Sequence, residues 1–161
     1  ENKNDEMRLW LPAFKRTRRI SSKKKNESFM GSDMSYEDMT SRNIKEYEYK
    51  IIGEEKIDTL DCYILETIPK NKSDYSKHIT WVTKKTILPI KEHSFDNNKA
   101  HLKNKHMTYK KIEDYYIVTK LHVENIQKNN QTTLNIDNII VDSNIHDNVF
   151  QEKNLKRMNF K

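Results

Sequence analysis

Acidic side chains spaced for acid–base work occur in one compact group, Asp33, Glu37 and Asp38. Neighbouring carboxylates can hold and release a proton when their surroundings push their pKa values apart. The same residues also fit a plainer role. Ser35 and Asp38 form a short capping box, with the hydroxyl facing the Asp38 amide and the carboxylate facing the Ser35 amide. Acids at the start of a helical turn are stabilising in any protein. Capping plus salt bridges to the nearby arginines is the stronger reading. Of the six histidines, His101 and His106 lie close enough to share a metal ion with Asp or Glu. Solvated strand and loop histidines explain them better. Cys62 is the single cysteine, so an intramolecular disulfide and a Cys-x-x-Cys zinc site are both excluded. Its run, Cys62-Tyr63-Ile64-Leu65, reads as a strand with a buried thiol. Gly-x-Ser-x-Gly and His-Glu-x-x-His are absent, and two glycines leave little scope for a phosphate-cradling loop. The chain reads as a non-enzyme that needs no cofactor.

Charge offers a second kind of chemistry. The net charge is +6, and the strongest local bias is the run Lys15-Arg16-Thr17-Arg18-Arg19-Ile20-Ser21-Ser22-Lys23-Lys24-Lys25. Such a run can meet nucleic acid, anionic lipid or an acidic protein. Trp10, Phe14 and Phe29 lie near it but are not interleaved as base-stacking platforms would be. Structural pairing of these arginines with Asp33, Glu37 and Asp38 explains the run equally well.

The elements that must position these groups are mostly strands. Met7, Leu9 and Leu11 alternate with Arg8 and Trp10, the period-two pattern of a half-buried strand, until Pro12 interrupts the ladder. Further alternating stretches start at Tyr47, Thr59, Lys77, Thr86, Lys99, Tyr115 and Thr132. The last of these is expected to run to Val141. Gly53-Glu54-Glu55-Lys56 reads as a hairpin turn, as do Lys84-Lys85 and the pairs Asn71-Lys72, Asn97-Asn98 and Asn129-Asn130. In the stretch from Tyr115, spacing alone puts Tyr115, Ile117, Leu121 and Val123 on one face. Asp147 to Met158 reads as a short helix. Apolar and charged residues each make up 34% of the chain. That balance suits a curved antiparallel sheet with one wet face better than a core enclosed on both sides. The expected fold is therefore mainly β, an antiparallel meander curling into a barrel or part of one.

Two blocks point to a family. Met7-Arg8-Leu9-Trp10-Leu11-Pro12-Ala13-Phe14-Lys15-Arg16-Thr17-Arg18-Arg19-Ile20-Ser21 resembles the strand pair of outer-membrane lipoprotein-sorting (LolA-like, LolB-like) proteins. Ser28-Phe29-Met30-Gly31-Ser32-Asp33-Met34-Ser35-Tyr36-Glu37-Asp38-Met39 is similar to the segment that follows it in that family. Trp81-Val82 with Leu88-Pro89, and Asp147 to Leu155, resemble its later hairpin and its end. The resemblance covers nearly all of the chain, read as one LolA-like domain over residues 1–161. It corresponds to the C-terminal two-thirds of a mature member, without the N-terminal helix and first strands.

The resemblance implies an incomplete antiparallel β-barrel with short helices over its open side. It also implies a periplasmic carrier or sorting module that holds lipoprotein acyl chains or other lipids on its apolar face. Acyl-chain contacts are expected from Leu9, Leu11, Tyr47, Tyr49, Ile64, Trp81, Ile117, Leu121 and Leu134. Arg16, Arg18 and Arg19 are expected to meet an anionic headgroup or partner. An inner-membrane transporter of the RND type is an expected partner, and nucleic acid is not, since the basic run coincides with a family block. The competing reading is an envelope protein-interaction or sensing domain of the same fold, its cavity filled by its own side chains. An exposed sheet edge near Met7 would pair with another copy, giving a homo-oligomer.

Overall fold

The computed structural model describes residues 7–21 and 24–155. A small antiparallel hairpin comes first, β1 (Met7–Leu11) and β2 (Arg16–Ile20). Pro12 ends β1 and opens a 3-10 turn over Pro12–Phe14, which closes when the Lys15 amide donates to the Pro12 carbonyl. Proline suits the first position of such a turn because its fixed φ is already helical and its missing N–H is not needed there.

Seven strands then form one antiparallel meander in sequence order: β3 (Tyr47–Ile57), β4 (Leu60–Pro69), β5 (Tyr75–Thr83), β6 (Pro89–Asp96), β7 (His101–Ile112), β8 (Tyr115–Asn125) and β9 (Asn130–Asn135). The sheet does not close, so the fold is an open half-barrel, as expected. A 3-10 turn over Asp147–Phe150 and one helical turn, α1 (Glu152–Leu155), end the described chain. The helix expected as far as Met158 is thus broken at Gln151, whose backbone is extended; Met158 lies outside the described residues.

Two expected boundaries change. Gly53 to Lys56 is not a turn. β3 runs through it, with a bulge between Ile51 and Gly53, and the chain reverses at Asp58, whose φ is 53°. Asp enters the left-handed region more readily than most residues, so it serves as the turn residue here. β9 stops at Asn135 rather than Val141, with the Ile136 amide still donating to the Thr119 carbonyl. The turns at Lys84-Lys85 and Asn97-Asn98 fall between strands as expected, and Asn129 ends the β8–β9 turn with Asn130 opening β9.

Register defines two faces, because directly paired residues in an antiparallel sheet point the same way. On the inner face, Tyr49, Thr67, His78, Ser94, Lys103 and Asn125 form one row across β3 to β8. Ile51, Leu65, Thr80, Glu92, Lys105, Val123 and Thr132 form the next. The connection between β2 and β3 covers the middle of these two rows and leaves Tyr49 and Ile51 exposed. It is tied to β9 through Asp33, whose amide donates to Thr132 Oγ1 and whose carboxylate accepts from that hydroxyl.

Candidate functional site

The inner face inverts the usual core. Where the β2–β3 connection covers it, most of the buried residues are polar: Thr67, His78, Thr80, Glu92, Ser94, Lys103, Lys105 and Asn125, with Val123 as the apolar exception. Burying charge is costly unless each charge is paired, and here each is. Asp38 accepts from Lys103 Nζ at 2.9 Å and from Lys105 Nζ at 2.5 Å. Lys105 also reaches Glu92 at 3.0 Å, and Arg42 holds Glu92 in a two-pronged pair at 2.6 and 2.8 Å. The Tyr75 hydroxyl donates to Asp38 at 2.8 Å, and His78 Nδ1 meets Ser94 Oγ at 2.9 Å.

Electrostatics follow from that packing. Burial would raise the Asp38 carboxyl, but Lys105 and Lys103 outweigh it and hold it well below the usual carboxylate range. Glu92 is depressed in the same way, by Lys105 and Arg42 against its own burial. Burial pushes His78 down to about 3, with Arg42 and Lys105 adding to the effect and Glu92 opposing it. His78 is therefore neutral at neutral pH. Such a network is a clasp rather than a proton-transfer pair: both carboxylates are locked in the charged form.

The capping box is present as expected. The Ser35 amide donates to Asp38 Oδ2 at 2.8 Å, and the Asp38 amide donates to Ser35 Oγ at 3.2 Å. Where pairing with the nearby arginines is expected, this acidic group bonds to other partners. Asp38 turns to Lys103 and Lys105, Glu37 accepts from Ser73 Oγ and the Asp74 amide, and Arg18 pairs with Glu27 at 2.7 Å. Across β1 and β2, Arg18 stands opposite Leu9, Arg16 opposite Leu11 and Arg19 opposite Arg8. His101 stacks between His93 and Phe95, and His106 stands opposite His122. Among the described residues no three His, Cys, Asp or Glu side chains gather to hold a metal ion. Cys62 is fully buried.

Beyond the clasp, toward the turns that join β3–β4, β5–β6 and β7–β8, the inner face carries half-buried apolar side chains, with Glu54 opposite Tyr63 at the β3 end and Lys84, its ion-pair partner, over the Tyr63 ring. Tyr63 pairs with Val82 there, Met107 with Leu121, and Leu121 in turn with Leu134. Of the residues expected to touch acyl chains, Tyr47, Tyr49, Leu121 and Leu134 lie on this inner face. Ile64 and Trp81 pair with each other on the opposite face, where Trp81 Nε1 donates to Glu55 at 2.6 Å and Lys91 sits 4.3 Å above the ring. A bulge between Thr108 and Tyr109 puts Val118 opposite Tyr109, so Ile117 pairs with Lys110 and leaves the face of Leu121. Leu9 and Leu11 belong to the separate hairpin. Lys103, Lys105, Glu92, His78 and Arg42 escape sequence reasoning because alternating charge reads as a wet face. The capping box at Ser35 marks Asp38 but carries no signal for the distant lysines it meets.

A cleft of about 560 Å³ lies beside the clasp, lined by Lys25, Glu37, Tyr47, Lys72 and Asp74 among others, and its wall is mostly polar. Burial and then the adjacent Glu37 carboxylate push Asp74 up to about 6.

The same arrangement of strands occurs in solved proteins. An outer membrane lipoprotein-sorting protein domain from Vibrio parahaemolyticus is 35% identical, with a TM-score of 0.91 over 96% of this chain and 67% of that one. The chain belongs to the family of this outer membrane lipoprotein-sorting protein domain. A family model described as "Uncharacterized protein" matches residues 1–157. A DUF1329 family protein from Desulfovibrio piger is 34% identical, with a TM-score of 0.88 over 96% of this chain and 66% of that one. A LolA superfamily protein from Nitrosomonas europaea, 18% identical with a TM-score of 0.64 over 92% of this chain and 67% of that one, shares the fold. This LolA-like chain thus spans about two-thirds of each solved relative. Comparison with curated proteins gives no match.

Proposed function

We propose that this LolA-like chain is a periplasmic carrier module that takes lipid or lipoprotein acyl chains onto the apolar half of its inner face. The observation that supports this reading is the divided inner face. Charged residues are buried and paired at one end, while Tyr63, Val82, Met107, Leu121 and Leu134 stay half-open at the other. A half-exposed apolar trough beside a fixed polar floor suits a ligand with a tail and a polar head. Arg16, Arg18 and Arg19 on the β1–β2 hairpin would supply the contact to an anionic headgroup or a partner.

The test is native mass spectrometry of the full chain purified from membranes, together with uptake of a fluorescent fatty-acid probe. Co-purifying lipid and saturable uptake are the expected results. Neither appearing would count decisively against the carrier reading. A second reading, an envelope interaction or sensing domain of the same fold, draws support from the polar wall of the 560 Å³ cleft. It predicts a partner protein and no lipid.

A further inference from the structure

Strand connectivity sorts the turns of the meander onto two rims. The turns β3–β4, β5–β6 and β7–β8 share one rim, and β4–β5, β6–β7 and β8–β9 share the other. The second rim is built from residues 70–74, 97–100 and 126–129, polar apart from Ile126 and Ala100. The first rim exposes large apolar side chains on every turn: Leu60 at 45%, Ile87 at 64%, and Tyr115 and Tyr116 at 47% and 46%. Chain beyond β9 returns to this rim, where the Tyr115 hydroxyl donates to Asp142, and it brings Ile140, 80% exposed.

Ile87 adds an independent observation. It adopts φ 54°, the left-handed region that a β-branched residue enters only under strain. Its amide is tied to the Thr83 carbonyl, and Thr83 Oγ1 accepts from the Leu88 amide, so the turn is firmly held. A strained aliphatic side chain held out into solvent does nothing for packing and points to contact with something outside the chain. The apolar half of the inner face, from Tyr63 and Val82 across to Met107 and Leu121, opens onto this same rim.

We infer that this rim is a membrane-contacting mouth: Leu60, Ile87, Tyr115 and Tyr116 dip into a lipid bilayer surface, and acyl chains pass there into the apolar half of the inner face. Membrane contact rests on the rim alone, and the passage of acyl chains rests on the carrier reading. Aliphatic tips beside tyrosines, with flexible lysines such as Lys85, Lys110 and Lys111 around them, match the layered chemistry of a bilayer interface. The rim also holds Asp58, Glu113 and Asp114, so net charge contributes little and insertion of apolar side chains dominates.

The test is co-sedimentation of the full chain with phosphatidylcholine vesicles. Wild type is retained, with little sensitivity to salt. Ile87→Asn weakens retention about tenfold, Tyr115→Ser with Tyr116→Ser weakens it further, and Ile126→Ser on the opposite rim leaves it unchanged. Circular dichroism confirms that each variant is folded. No retention of wild type, or equal retention of the rim variants, would overturn the inference. So would a soluble dimer that the rim variants dissolve, since a second copy would then cover the rim. Rim variants that lose vesicle binding yet take up the fatty-acid probe from solution separate this inference from the carrier reading. If wild type binds vesicles through the rim but never takes up the probe, the rim assignment stands and the carrier reading fails.

Discussion

Lys105 Nζ lies 2.5 Å from Asp38 Oδ1, joining the middle of β7 to the connection that crosses the inner face. Both side chains are nearly buried, so neither can be removed without leaving the other's charge poorly compensated. Asp38→Asn leaves Lys103 and Lys105 with excess buried charge and should cost about 3–5 kcal/mol. Urea unfolding measures it. A loss under about 1 kcal/mol would show that the clasp does not hold the connection in place.

Acid should weaken the fold through His78. Its folded pKa is lowered to about 3 against an ordinary 6.5, so the unfolded chain takes up the proton first. Stability from this group is complete above pH 6.5 and is lost as pH falls toward 3, reaching roughly 3 kcal/mol at pH 4. Asp38 and Glu92, depressed below their usual range, add a loss that begins near their ordinary values of 3.8 and 4.5 and deepens in stronger acid. Thermal melting between pH 7 and 4 should show this slope, and His78→Gln should flatten it.

Asp74 works in the opposite sense. Its folded pKa is raised to about 6, so folding favours the protonated form. The native state is relatively penalised as pH rises from about 4 to 6, and the full penalty persists above that range. Asp74→Asn should therefore stabilise the protein at pH 7.5 and have little effect at pH 4. Equal shifts in Tm at both pH values would contradict this.

Ile87→Asn should raise stability by about 1 kcal/mol, because Asn accepts the left-handed backbone that Ile occupies under strain. Calorimetry can check the gain. A rise in Tm together with weaker vesicle binding would separate folding from surface function at one residue.

On the inner face, Leu121→Asp should reduce fatty-acid probe binding by about tenfold or more, since it sets an unpaired charge between Met107 and Leu134. Thr133→Asp, one residue from Leu134 but opposite His122 on the other face, should leave uptake intact. Equal effects from the two would mean that face does not matter for binding.

Most strands, the Asn- and Lys-rich turns and the family were legible from the chain alone, because alternation and turn composition are local properties; the reversal at Asp58 was not, since a bulge carries β3 through Gly53 to Lys56. The alternation at Leu9 and Leu11, the Pro12 turn and the Ser35–Asp38 capping box need only neighbouring residues to be read. Facing is not local. Bulges at Ile51/Gly53 and Thr108/Tyr109 move the residues beyond them to the other face, which is why Ile117 parts from Leu121. Nor does alternation say which face is covered. Lys103 and Lys105 look like solvent residues until Asp38, more than sixty positions earlier, is laid across them. Tertiary structure alone decided that the buried face is charged at one end and apolar at the other, because pairing across distant strands determines which charges can be buried.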